Sequence, residues 1–246
     1  MTAELLTAGR AEFLTEYWDY HPGEHVTVVA PTGYGKTWWT NDLLQATATR
    51  AMPAVVLATK PRDTTVDRLL RQTDYRRVRS YPIATALRAA DPRSGYVVWP
   101  KFTGDPEADE STHRAVFRRA LLADYAANAR SKRSKRRVIL NVDEIYGVAN
   151  ELKLRRELST VWTKGRSVGV GLWGGTQRPF EIPQHAYSQP QHLFLGFTPD
   201  RRDRMRFREI GGVDPDVVMA VTSTLEWRQW LYIHREQRAM CIVDAA

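Results

Sequence analysis

Residues 30–37 read Ala-Pro-Thr-Gly-Tyr-Gly-Lys-Thr, directly after the run His25-Val26-Thr27-Val28-Val29. A loop of small residues at this spacing, between a strand and a helix, can wrap its backbone N–H groups around a phosphate chain. Pro31, Thr32, Gly33, Tyr34, Gly35, Lys36 and Thr37 are therefore the candidate nucleotide-binding residues. Lys36 can reach the outer phosphates, and the Thr37 hydroxyl can hold Mg²⁺. The first position of the pattern is Ala30 where the strict form has glycine; alanine is small enough to keep the close approach. Gly33 and Gly35 supply the permissive backbone. Taken alone, the same residues make a glycine-rich turn with a chance Gly-Lys-Thr, and it is the strand before and the helix after that favour phosphate.

A second constellation is Asp143-Glu144, at the end of the buried run Val138–Val142. An aspartate there can orient Mg²⁺, and a glutamate immediately after it can polarise the water that attacks a γ-phosphate. Acids are also favoured at helix starts for dipole reasons, so the pair means more beside a phosphate loop than alone. A third candidate, Gln177, follows the strand expected over Gly169–Trp173 and can touch both the γ-phosphate and the attacking water. Rapid hydrolysis also needs a cation delivered to the γ-phosphate from a neighbouring subunit. Arg166, in Thr163-Lys164-Gly165-Arg166-Ser167, is the first candidate, followed by Arg178 and Arg202. The catalytic set is thus Lys36, Glu144, Gln177 and Arg166, with Thr37 and Asp143 at the metal.

The elements that must position these groups alternate between strand and helix. Strands are expected at Val26–Val29, Ala54–Ala58, Tyr96–Trp99, Val138–Val142, Gly169–Trp173 and His192–Phe197. Helices are expected at Lys36–Thr49, from Thr64 or Thr65 through Leu70, and at His113–Arg130, Leu152–Lys164 and Asp200–Ile210. Gly104–Ser111 reads as an acidic loop. Trp227–His234 and Ala239–Val243 alternate as a closing antiparallel hairpin. Such alternation gives an α/β fold with a mainly parallel sheet covered on both faces. The three sites all fall at strand C-terminal ends, where open α/β sheets place ligands. Residues 1–24 read as an N-terminal helix and lead-in segment, and 25–246 as a single domain.

Composition narrows the partners. The chain has 246 residues, 43% hydrophobic and 26% charged, ordinary for a globular protein. No stretch approaches the ~18 apolar residues that span a bilayer, and the N-terminus does not read as a signal peptide. The single cysteine, Cys241, excludes an internal disulfide framework and a cysteine-rich zinc site, so the expected location is cytoplasmic. A net charge of +8 favours a polyanionic partner. Arginine's planar fork suits phosphate, but a GC-rich genome also explains much of the arginine excess. Arg130–Arg137 is a compact basic segment suited to a phosphate backbone or, equally, to a solvated loop. Trp173, Trp227 and Trp230 lie in strand-like runs and are expected in the core rather than stacked on bases.

Together, these stretches resemble the FtsK–HerA superfamily of DNA-pumping ATPases. Ala30–Thr37 is similar to that family's phosphate loop, and Asp143-Glu144 to its acidic pair. Gly165-Arg166-Ser167-Val168-Gly169-Val170-Gly171-Leu172-Trp173-Gly174-Gly175-Thr176-Gln177-Arg178-Pro179 is similar to its helix end, strand and Thr-Gln-Arg-Pro sensor. The resemblance covers most of residues 24–243. It implies a RecA-like P-loop NTPase core, with ATP and Mg²⁺ bound by Lys36 and Thr37, Asp143 supporting the metal, Glu144 as base and Gln177 as sensor. It also implies a homo-oligomeric ring, a hexamer in the family's usual form, with double-stranded DNA in the channel and ATP between subunits. Arg166 falls where some relatives place a trans-acting arginine.

The sequence carries no run that reads as the family's transmembrane region, N-terminal β-barrel module or C-terminal winged helix. Little more than a motor core remains, which leans toward viral genome packaging, in the host cytoplasm or associated with the virion, on a portal- or vertex-type docking protein. The alternatives are a conjugative or repair-type HerA-like translocase and a nucleotide-dependent phage assembly or secretion ATPase. Glu144 argues against a non-hydrolysing switch, which has little need of a water-activating base.

Overall fold

Short apolar runs too brief for helices build the centre of the molecule. The computed structural model describes residues 5–83, 91–131 and 136–246. Among them, strands β1 (Thr7–Gly9), β2 (Val26–Val29), β3 (Ala54–Leu57), β4 (Arg76–Val78), β5 (Gly95–Val98), β6 (Val138–Val142), β7 (Val170–Thr176), β8 (His192–Leu195), β9 (Gln229–His234) and β10 (Ala239–Asp244) form one sheet. Its order is β1-β10-β9-β8-β2-β7-β6-β3-β5-β4. All neighbours from β8 to β4 pair parallel, whereas β9 runs antiparallel to both β8 and β10. The expected mainly parallel sheet with a C-terminal antiparallel hairpin is what the chain forms.

The central strands β2, β3, β5, β6, β7 and β8 are buried along their whole length, as strands covered on both faces must be. Their side chains alternate between two cores. Val55, Leu57, Leu140, Val142 and Leu172 face one; Val28, Val56, Ile139, Trp173 and Phe194 face the other. The helices divide accordingly. Helices α1 (Lys36–Thr47) and α2 (Thr64–Gln72) bury Trp39, Leu43, Leu44, Val66 and Leu69 in the second core. Helices α3 (Pro106–Arg130) and α4 (Arg155–Lys164) bury Phe117, Leu121, Leu158, Val161 and Trp162 in the first.

Several boundaries differ from the expectation, each for a local reason. Helix α2 starts at Thr64, runs two residues past Leu70 to Gln72, and is capped by Asp63, whose carboxylate accepts from the Thr65 and Val66 N–H groups. Helix α3 begins seven residues early. The acidic stretch that read as a loop is its first turn, with Asp105 capping the Glu107 and Ala108 N–H groups and Pro106 at the first position. The N-terminal segment is not simply helical: Thr7–Gly9 pairs parallel with β10 before a helical stretch over Arg10–Tyr17. The fully buried Phe13 ring packs edge-on to Tyr232 and Phe194, tying this segment to the sheet. An additional helix, α5 (Pro215–Thr222), follows the short helical stretches between Arg201 and Glu209. No helix among the described residues is long and apolar enough to cross a membrane.

Candidate nucleotide-binding site

Parallel strands end on a common rim, and the loops that leave β2, β6 and β7 meet there. The Ala30 N–H donates to Thr176 O at 3.2 Å, holding the end of β2 beside the end of β7. Gly33 and Gly35 take φ values of +79° and +102°, the left-handed region that a side chain would resist. The chain can therefore curl and enter α1 at Lys36 with no side chain capping the helix. Its first N–H groups point at the space a phosphate would fill, where the helix dipole also favours an anion.

The two sequence constellations come together at this rim. Lys36 is almost fully buried, and its ammonium donates to the Asp143 carbonyl at 2.8 Å and lies 3.5 Å from Asp143 Oδ1. The Thr37 hydroxyl sits 3.0 Å from each Asp143 carboxylate oxygen. A hydroxyl beside a carboxylate is an all-oxygen donor pair, which fits a hard dication such as Mg²⁺. Glu144 follows on the same rim, above a cleft of about 470 Å³ lined in part by Thr59, Phe102, His113 and Tyr146. Burial pushes its carboxyl above the ordinary glutamate range. The Lys36 charge and the Tyr146 and Gln177 N–H groups pull the other way, while Asp143 adds to the rise.

Gln177 leaves the end of β7 and meets the phosphate loop directly: the Thr32 hydroxyl donates to Gln177 Oε1 at 2.5 Å. Pro31, Thr32, Gly33, Tyr34, Gly35, Lys36, Thr37, Asp143, Glu144 and Gln177 thus form one continuous patch. Arg166 does not join it. That residue precedes β7 and stands at the opposite edge of the sheet, in a bidentate pair with Glu236 whose Nη2–Oε2 distance is 3.1 Å. Of the other two arginines considered, Arg178 lies 3.6 Å from Glu181 and Arg202 stacks over Phe180, both near the carboxyl rim.

Two features were not read from the sequence. The Tyr34 hydroxyl donates toward the Glu226 and Gln229 carbonyls, at 2.6 and 2.5 Å, so the turn before β9 is clamped to the phosphate loop. Trp227, in that turn, is 59% exposed, whereas Trp173 and Trp230 are in the core as expected. Its position between Glu226 and Arg228, charged neighbours unsuited to a core strand, was the available signal. The basic segment Arg130–Arg137 has residues 132–135 outside the described residues; Arg136 and Arg137 precede β6 and so stand at the edge away from the phosphate loop.

No protein-family model matches the sequence, and no curated protein matches it. Solved structures do. The genome packaging NTPase B204 from Sulfolobus turreted icosahedral virus 2, in complex with sulfate, matches with a TM-score of 0.59 at 15% identity, covering 92% of this chain and 98% of that one. B204 from Sulfolobus turreted icosahedral virus, a DNA-packaging ATPase, matches with a TM-score of 0.62 at 14% identity over 92% of this chain and 100% of that one. The pCW3 conjugation coupling protein TcpA, with ATPγS, matches with a TM-score of 0.51 at 15% identity over 95% and 61%. These neighbours are P-loop ATPases of the FtsK–HerA superfamily, the one the motifs resemble. At such identities the likeness is one of fold: the chain has the P-loop NTPase fold.

Proposed function

We propose that this chain is a ring-forming, ATP-driven motor that translocates double-stranded DNA, of the genome-packaging type. The observation that carries the reading is the convergence of Lys36, Thr37 and Asp143 within hydrogen-bond distance, with Glu144 and Gln177 on the same rim. The division of labour follows from the side chains. Loop N–H groups and Lys36 hold the triphosphate. Thr37 and Asp143 hold Mg²⁺, which when bound neutralises charge on the outer phosphate oxygens. Glu144 takes the proton of the attacking water, and burial raises its basicity for that task. Gln177 senses the γ-phosphate and passes its state to the loop through Thr32.

The DNA-packaging role of the B204 neighbours favours packaging, and the net charge of +8 favours a polyanionic track. In this reading the subunits form a hexamer around duplex DNA, docked on a portal- or vertex-type protein in the host cytoplasm. Arg166 is the trans-acting cation of the neighbouring subunit. The likeness to a conjugation coupling protein keeps conjugative transfer as the second reading.

The test is the ATPase rate with added duplex DNA, single strand or RNA, together with the variant Glu144→Gln. Duplex is expected to stimulate hydrolysis, and the variant to lose roughly 10²- to 10⁴-fold in rate while still binding nucleotide. Hydrolysis indifferent to every nucleic acid would remove the translocase reading in favour of an assembly ATPase.

A further inference from the structure

A triphosphate laid along the loop has a direction. The groups suited to its outer end, Asp143, Glu144 and Gln177, leave β6 and β7 on one flank of β2. The nucleoside therefore belongs on the other flank, toward β8 and β9. Because β9 runs antiparallel, its first residue is on the same rim as the phosphate loop. The turn Glu226-Trp227-Arg228 that leads into it lies where the sugar and base must go.

This turn is built in an unusual way for a surface loop. Tyr34 clamps the carbonyls on either side of it. The Trp227 indole N–H donates to the Gly33 carbonyl at 3.3 Å, yet the ring stays 59% exposed. The Arg228 guanidinium stacks 4.1 Å from the centre of the Trp227 ring and 5.7 Å from that of Trp38, the residue after Thr37. Its stem lies 3.6 Å from where a Gly35 side chain would begin. Arg228 holds a left-handed backbone, φ +65°, uncommon outside glycine, and its buried Nε–H has no hydrogen-bond partner among the described residues. Backbone strain, an unsatisfied donor and an exposed aromatic face, all beside the phosphate loop, have a common explanation in a bound ligand.

We propose that Trp227 and Arg228 form the nucleoside subsite of the phosphate loop, Trp227 giving an indole face to the base and Arg228 an N–H to the sugar–phosphate junction. The inference rests on the reading of residues 30–37 as a nucleotide site. Stacking is tolerant, because every base has a π-face. The subsite therefore accepts nucleoside triphosphates as a class and separates ATP from GTP only weakly.

Equilibrium binding of ATP, GTP and inorganic tripolyphosphate to the wild-type chain, Trp227→Ala, Trp227→Phe and Lys36→Ala tests it. Trp227→Ala is expected to weaken ATP and GTP by roughly 5- to 150-fold and leave tripolyphosphate unchanged. Trp227→Phe, which keeps a ring but loses the bond to Gly33, stays within a few-fold of wild type. Equal weakening of ATP and tripolyphosphate by Trp227→Ala would show that the tryptophan only props the loop, and unchanged ATP binding would remove it altogether. Wild-type chain that holds tripolyphosphate as tightly as ATP also overturns the subsite while sparing the phosphate site. Binding of none of the three ligands, with Lys36→Ala indistinguishable from wild type, overturns both.

Discussion

The carboxyl of Glu144 has to be ionised to act as a base, and the protein makes ionisation harder. Burial outweighs the Lys36 charge and two N–H groups, so the folded pKa lies above the ordinary glutamate value. Two consequences share one sign. Activity should fall on the acid side along a limb displaced upward from the ordinary glutamate value, read from kcat/KM against pH in the free enzyme. Stability should also fall as pH rises through the interval between the ordinary and the raised value, because the folded state binds the proton more tightly than the unfolded one. Glu144→Gln, neutral at every pH, should therefore melt higher than wild type at neutral pH and lose that advantage below the ordinary value. An acid limb at the ordinary glutamate value, with no gain in melting temperature, would mean that the carboxylate is well solvated. At this scale the sequence was most informative where type and spacing both constrain chemistry, as for Lys36, Thr37, Asp143, Glu144 and Gln177. It was least so for Trp227, whose exposure depends on the Tyr34 clamp, nearly 200 residues away in sequence.

Strand β7 shows how an element carries the site. Its Gly174-Gly175 pair, in the middle of a fully buried strand, forgoes side chains that would pack. The reason lies in the neighbours. A methyl group on Gly175 would collide with the Asp143 carbonyl, the acceptor for Lys36, and come within 3.2 Å of the Lys36 stem. Gly175→Ala should thus lower stability by about 1–3 kcal/mol. It should also weaken nucleotide binding without touching the nucleotide, measured by thermal melting and by ATP titration of the same sample. A variant that melts and binds like wild type would show that β6 and β7 have room to part. The strands were legible because buried apolar runs of four or five residues admit few alternatives. Two kinds of element were not. Edge strand β4 carries Arg76 and Arg77, both exposed, and one partly buried valine, so no pattern marks it. The first turn of α3 looked like a loop because the acids that stabilise a helix start also resemble loop composition.

At the scale of the whole molecule, the residues proposed for catalysis lie on two edges of one sheet. Gln177 and the phosphate loop occupy the carboxyl rim, and Arg166 occupies the other. The seven residues of β7 between them span about 20 Å at ~3.3 Å each, beyond the reach of an arginine side chain. Arg166 therefore cannot serve its own phosphate loop, and any catalytic use of it requires a second copy. The motif order made this arrangement visible, since Arg166 precedes the strand and Gln177 follows it; the partner that holds the arginine, Glu236 on the β9–β10 turn, was not visible because the contact joins residues 70 apart. That pair is about half exposed on both sides, so it contributes no more than ~1 kcal/mol and is easily exchanged for a phosphate. If Arg166 completes the neighbour's site, Arg166→Ala should keep nucleotide affinity and lose roughly 10³-fold or more in hydrolysis. Mixing it with Glu144→Gln subunits should then restore turnover, because the mixed ring pairs an intact Glu144 with an intact Arg166 across one interface. Turnover measured against mixing ratio should peak between the two pure samples, each nearly dead alone. A flat line at background would exclude Arg166 from the neighbour's site and turn attention to Arg178 and Arg202, which already stand on the carboxyl rim.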